Sequence, residues 1–162
     1  MPLADFYTGY MENRLEDGEF VQAIRVPLPA PIGAAPVLRA YKIAKRFDSD
    51  ISAVCAGLAL RLDGGTVREA RLAWGGMAAT VRRAPRAEAA LVGQRWDEPA
   101  LRAAQAALAA DFTPLSDLRA GAGYRMQVAQ NLLERFWLET RVDAPINARA
   151  LSVWRVVKHG TT

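Results

Sequence analysis

The chain has 162 residues, enough for one domain with its own core, and 51% apolar with 23% charged residues is the composition of a folded protein and not of a disordered one. Twenty-one Lys and Arg against 17 Asp and Glu give a formal charge of +4, scattered with no basic block, which speaks against nucleic acid as a partner. A single cysteine, Cys55, and a single histidine, His159, exclude an internal disulfide and a zinc or iron–sulfur centre built from Cys and His.

A reducing, cytoplasmic setting follows from the cysteine usage. No apolar run reaches the roughly 18 to 20 residues of a membrane helix, and the first residues lack the basic and apolar blocks of a signal peptide. The opening "MPLADFY" enters mid-pattern, as one segment of something longer would.

In chain order, a short helix is expected around Ala4–Tyr10. In "EFVQAIRVPLP", Phe20, Gln22, Ile24 and Val26 alternate with Val21, Ala23 and Arg25, predicting a first strand stopped by Pro27. "VLRAYKIAKRF" predicts a second strand ending near Arg46, with Leu38, Ala40, Lys42 and Ala44 on one side and Val37, Arg39, Tyr41 and Ile43 on the other. "ISAVCAGLALRL" alternates cleanly, with Val54, Ala56, Leu58, Leu60 and Leu62 on one face and Cys55, Gly57, Ala59 and Arg61 on the other. "DGGTV" supplies the positive φ angles of a tight hairpin, and "TVREARLAWGG" returns with Ala70, Leu72 and Trp74 on one face.

Beyond Gly76 the period changes to near 3.6. "APRAEAALVG" has proline at a helix start and glycine at its end; "DEPALRAAQAALAADF" offers Asp97 as N-cap with Pro99 in the first turn. "AGYRMQVAQNLLERFWLET" carries Met126, Ala129, Leu132, Leu133, Phe136 and Trp137 as a wide apolar stripe suited to a sheet. Strands first and helices second indicate an α+β fold: an antiparallel three- or four-stranded sheet packed on one side by about three helices.

Catalytic constellations are absent from the residues. Cys55 inside a strand reads as a small buried hydrophobe, His159 as a solvated residue, and the glycines of "GTVREARLAWGGMAAT" lack the spacing that cradles phosphate. "KRFDSDIS" admits two readings. Lys45, Arg46, Asp48 and Asp50 suit a salt-bridged turn at a strand end, whereas Lys42, partly desolvated on the strand, suits an anionic or electron-rich ligand.

"YKIAKRFDSDISAVCAGLALRLDGGTVREARLAWGGMAATVRRAPRAEAAL" and "AADFTPLSDLRAGAGYRMQVAQNLLERFWLE", in that order, closely resemble the C-terminal part of the flavin domain of xanthine dehydrogenase, in particular the small subunit of the bacterial enzyme. The wider family is that of the molybdenum hydroxylase flavoproteins, with a domain like the carbon monoxide dehydrogenase flavoprotein C-terminal domain. The resemblance runs from about Leu3 to Glu139. It implies an oxidoreductase of purine catabolism in which electrons pass from molybdenum through two 2Fe–2S clusters to FAD and on to NAD. The chain would share FAD with an N-terminal portion that carries the pyrophosphate cradle. Its partners would be that portion, the iron–sulfur portion and the molybdenum-binding large subunit, and the chain alone would be inactive. Residue by residue, the resemblance implies that Lys42 and Val21 contact FAD, and that Tyr10 and Asp48 border the NAD pocket or the flavin edge. In "GYMEN", Met11 and Glu12 stand where the family has cations, which should weaken capture of a dinucleotide. It divides the chain into a linking segment and first strand from the FAD domain at 1–35, the C-terminal flavoprotein subdomain, sheet then helices, at 36–141 and a tail at 142–162. Two alternatives stay open: a ligand-free packing or assembly module, and the flavoprotein of an aldehyde oxidase or carbon monoxide dehydrogenase.

Overall fold

The computed structural model describes residues 1–26, 36–46 and 50–147. Its body is an antiparallel sheet of β3 (Val37–Ile43), β4 (Val54–Asp63), β5 (Thr66–Gly75) and β6 (Arg82–Arg83), in that spatial order. Three helices, α2 (Pro85–Leu91), α3 (Glu98–Asp111) and α4 (Ala122–Thr140), cover one face, so the fold is α+β as expected. Ahead of the body stand a one-turn helix α1 (Leu3–Phe6) and a separate two-stranded ribbon of β1 (Tyr7–Gly9) and β2 (Glu12–Asn13).

Period-two alternation sorts the sheet. Val54, Ala56, Leu58 and Leu60 of β4, with Val67, Ala70, Leu72 and Trp74 of β5, point inward and are buried. Against them α4 lays Ala129, Leu132, Leu133 and Phe136, and α3 contributes Leu101, Ala104 and Leu108. Each large side chain so buried is worth about 1.5–3 kcal/mol relative to exposure, which is why the helices take this face and not the other. The β4–β5 turn is the two-residue Gly64–Gly65, both at positive φ, between paired Asp63 and Thr66. α3 begins as predicted, with Asp97 accepting from the Ala100 N–H at 3.1 Å and proline in its first turn.

The two edges of the sheet are treated differently. Along β5, Glu88 Oε1 accepts from the Leu72 N–H at 2.8 Å, and Leu72 O accepts from Ala84 N at 2.9 Å. Gly93 and Gln94 exchange bonds with Val67 at 2.8 and 2.9 Å. Glu88 is buried and also receives Arg83 Nε at 2.8 Å, so this edge has no open backbone there. On the far side β3 has no neighbour among the described residues.

Several expectations are corrected. Residues 20–26 form no strand: a strand requires a backbone partner, and none of the described residues supplies one. The fourth strand is instead β6, two arginines that no hydrophobic pattern would mark. Helix is confined to Leu3–Phe6, since β-branched Thr8 and Gly9 are poor helix formers and the chain passes into the extended ribbon that follows. β3 stops at Ile43 and not near Arg46, where Ile43 O accepts from Ala53 N at 2.8 Å and the chain leaves the sheet. Pro27, Asp48 and His159 lie outside the described residues. No helix among the described residues is long and apolar enough to cross a membrane.

Glu88→Ala should lower stability by about 1–3 kcal/mol in urea unfolding, because it strands the buried Leu72 N–H and unpairs Arg83. A change below about 0.5 kcal/mol would show that the edge does not depend on this carboxylate.

Candidate functional site

The face of the sheet away from the helices is built of small residues. Cross-strand pairing sets Lys42 opposite Cys55 and Cys55 opposite Gly75; the next row is Ala40, Gly57 and Ala73. An added Cβ at Gly57 would meet nothing within 4 Å, whereas one at Gly75 would collide with Cys55 Sγ. The floor is therefore shallow and open, with side-chain bulk kept off it. Charge gathers at the hairpin end, where Glu69 accepts from Arg71 at 2.6 Å with Arg61 nearby. At the other end Lys42 is exposed, and among the described residues its ammonium has no hydrogen-bond or ion-pair partner. The expectation of a partly desolvated lysine is thus corrected: β3 is an edge strand whose alternate side chains stand in solvent.

Next to Lys42 the strands end in a corner tied by Arg125. Its guanidinium, 3% exposed, donates to the carbonyls of Ala53 and, at 2.8 Å, Gly76, and to Asp117 Oδ1 at 2.7 Å. Asp117 also accepts from the N–H groups of Arg119 (2.8 Å) and Ala120 (3.1 Å) and from Arg119 Nη1 (3.1 Å). Desolvation works to raise the Asp117 carboxyl, but these backbone and guanidinium donors together outweigh it and hold it well below the ordinary carboxylate range. Ser116 Oγ takes the Ala122 N–H at 2.8 Å, satisfying one of the free donors at the start of α4. Gly76 has φ +79, and an added Cβ there would collide with Ala53 O, so the corner needs glycine on two counts.

The loop after β3 is strapped to the same corner. Lys45 Nζ donates to Leu118 O at 2.7 Å, and Arg46 N and Nη2 donate to Asp50 at 3.1 and 3.3 Å. The Arg46 guanidinium and backbone bonds to Asp50 hold that carboxyl below its usual value. A cavity of about 450 Å³ lined by Ile43, Lys45, Ala53, Leu118 and Tyr124 opens here. A second of about 370 Å³, bounded by Arg46, Asp50 and Ile51, shares Lys45 and Leu118 with it. The salt-bridged turn and the free strand lysine are both present, on different residues of the one motif.

The other expected site residues belong to other parts of the sequence. Tyr10, 72% exposed, sits at the tip of the β1–β2 ribbon beside Met11, which has φ +58. Val21 is 51% exposed in an irregular stretch. Asp48 belongs to the residues not described. Sequence reasoning passed over Arg125 and Asp117. A signal existed: Arg125 precedes Ala129 by four residues on the inward stripe of α4, and a cation on a buried stripe calls for a built partner.

A shallow outward sheet face, three helices behind it and a charged corner at the strand ends make this an α+β domain of the architecture that the motifs implied. The chain belongs to the family of the CO dehydrogenase flavoprotein C-terminal domain, whose family model matches residues 39–140. It is 37% identical to a nicotinate hydroxylase of Emericella nidulans, over 85% of this chain and 10% of that protein. It is 34% identical to the xanthine dehydrogenase of the same fungus, over 93% of this chain and 11% of that one. The xanthine dehydrogenase FAD-binding subunit of Escherichia coli O157:H7 is 30% identical over 83% of this chain and 46% of the subunit. Among solved structures, carbon monoxide dehydrogenase of Hydrogenophaga pseudoflava superimposes with a TM-score of 0.73 at 30% identity, covering 87% of this chain and 46% of that chain. The chain thus spans about a tenth of the fungal relatives and under half of the bacterial subunit.

Gly76→Ala should lower stability by at least about 2 kcal/mol in thermal or urea unfolding. Gly57→Ala, with open space around it, should stay within about 0.5 kcal/mol. Arg125→Met should cost more than Asp117→Asn, since it also strands the carbonyls of Ala53 and Gly76. Because the folded Asp117 value is depressed, its contribution is present above the ordinary 3.8 and lost as pH falls below it. The stability difference between the parent and Asp117→Asn should therefore shrink in acid; a difference that persists undiminished would remove Asp117 from this role.

Proposed function

We propose that this chain is the C-terminal subdomain of the flavin-carrying portion of a molybdenum hydroxylase, where it closes against FAD with the Lys42 end of its outward sheet face. The observation that carries the reading is the unpartnered, exposed Lys42 beside a floor of Ala40, Cys55, Gly57 and Gly75. A planar ring needs such a floor, and an unengaged ammonium can reach a carbonyl or ring nitrogen at its edge. The fit covers one side of the group only. The described helix starts do not extend it: α2 begins with Pro85 and α3 with Glu98 and Pro99, and at α4, where Gly121 and Gly123 flank the start, the Ala122 N–H is already taken by Ser116 Oγ. FAD, when bound, supplies the electron acceptor; Lys42 supplies a fixed positive charge at its edge, and the Arg125 corner holds the strand ends that carry Lys42.

The fuller version takes xanthine as reductant and NAD as final acceptor, with electrons reaching FAD from molybdenum and iron–sulfur partners. What supports it is the 34% identity to a xanthine dehydrogenase over nearly the whole chain. The nicotinate hydroxylase likeness is of the same order, and the motifs that carried the xanthine resemblance build the structural corner at Arg125, so substrate choice lies with the partner subunits. A ligand-free packing module is the second reading, favoured by the exposed apolar side chains of the N-terminal segment.

Lys42→Ala in the assembled flavoprotein separates the two. If Lys42 borders the flavin, the two-electron midpoint potential should fall by on the order of 20–40 mV, since about 1–2 kcal/mol of favourable charge interaction with the reduced ring is lost. An unchanged potential and flavin content would leave only the packing module. Titrated alone, the 162-residue chain should bind FAD weakly or not at all by flavin fluorescence, and tight stoichiometric binding would sink the divided-site reading.

A further inference from the structure

The row of the outward face that carries Lys42 has a second wall. Across it run Lys42 of β3, Cys55 of β4 and Gly75 of β5, paired in register, so all three are directed to one side of the sheet. Gly75 is outward by this register and yet is buried. Two side chains cover it: Cys55 Sγ leans into the place a Cβ would take, and Val81 Cγ2 stands 3.5 Å from that place. Val81 therefore rises on the outward side beyond β5, just ahead of β6, and is 67% exposed. The row is a shallow slot, with the exposed ammonium of Lys42 at one end, the Cys55 thiol in its floor and the methyl groups of Val81 at the other end. In the next row Ala40, Gly57 and Ala73 keep the floor low. The arginines after Val81 do not add charge to its end: Arg83 is engaged by Glu88 and Ala70 O, and Arg82, paired with Trp74, shares the inward direction of that indole.

Neighbouring strands lie about 4.8 Å apart, so the backbone of Lys42 and that of Gly75 are roughly 10 Å apart across the sheet, with Val81 just beyond. That span suits three fused rings lying across the strands, and its two ends differ in chemistry. We propose that Val81 is a positioning residue that fixes the direction of the flavin in this slot: its methyl groups meet the dimethylbenzene edge while Lys42 meets the carbonyl-bearing pyrimidine edge. This rests on the reading that the Lys42 end of the outward face closes against FAD. A single exposed valine is ordinary on a surface, but at this place it makes the two directions of the ring unequal. Reversal would set the ring carbonyls against methyl groups and apolar carbons against an ammonium, so each end loses its match. The preference belongs to this chain's own side chains, whatever holds the pyrophosphate. Reduction adds negative charge on the pyrimidine side, beside Lys42 and far from Val81. Val81 therefore governs affinity and direction, and Lys42 governs potential.

The test uses the flavoprotein in which this chain is assembled with its FAD-binding portion. In the parent, alkylation of Cys55 by iodoacetamide, read on its own peptide by mass spectrometry, should be at least about tenfold slower with FAD bound than after FAD is stripped. Val81→Asp should raise the Kd for FAD at least about tenfold, while Val81→Ile should stay within about twofold of the parent. Val81→Asp should also move the flavin midpoint potential by less than about half the shift given by Lys42→Ala. Circular dichroism and urea unfolding of the variant chains should match the parent, because the side chain stands in solvent. A smaller protection of Cys55 takes the flavin off this row and overturns both the proposal and the reading beneath it. Protection of Cys55 with a smaller loss of affinity in Val81→Asp overturns the proposal alone, since Val81 then makes no contact. A potential shift in Val81→Asp equal to or above that of Lys42→Ala also overturns it alone, since the ring then lies the other way round.

Discussion

The body of this domain depends on one buried guanidinium. Arg125 holds the carbonyls that leave β4 at Ala53 and β5 at Gly76 and pairs with Asp117 in the loop before α4, so one cation joins sheet, helix and loop. A buried charge is costly unless every donor is used, and here the site exists because each partner is held in place: Gly76 by a positive φ, Asp117 by two backbone N–H groups, α4 by Ser116. Residues far apart in sequence, Lys45 and Ala53, Gly76, and Asp117 with Leu118, meet around it.

That constraint also divides the sheet by role. The inward face is filled by Leu58, Leu72, Trp74 and the apolar stripe of α4; its carboxylate Glu139 is paired with Arg39, Tyr41 and Arg135, while the buried indole N–H of Trp74 has no partner among the described residues. The burial of Tyr41 and the carboxylate beside it push its hydroxyl well above the ordinary tyrosine value, which keeps it a donor to Glu139. The outward face carries no such load. It can carry Gly57, Ala40 and Cys55 because none of the described residues packs a large side chain over them.

Much of the architecture was legible in the residues. α4 spans the stretch AGYRMQVAQNLLERFWLET that its apolar stripe marked, the N-cap of α3 is Asp97, and the β4–β5 hairpin turns on Gly64–Gly65. What failed did so for tertiary reasons. Residues 20–26 have the pattern of a strand without a sheet to join, and β6 is a strand made only because β5 offers Ala73 and Trp74 an adjacent edge. Of the site, Lys42 was legible as an unexplained cation on a strand, whereas Arg125 was hidden inside a helix whose apolar neighbours dominated its pattern.

By itself, then, the sequence determined the α+β class, the two faces of the central strands and the family, because these rest on local periodicity and on the order of motifs along the chain. Only the tertiary structure decided which cations are used up in holding the corner and that Lys42 is left free. Periodicity places a side chain on a face, but whether its charge is spent depends on carbonyls and carboxylates contributed from dozens of residues away, as Ala53 and Gly76 are to Arg125 while nothing described is to Lys42.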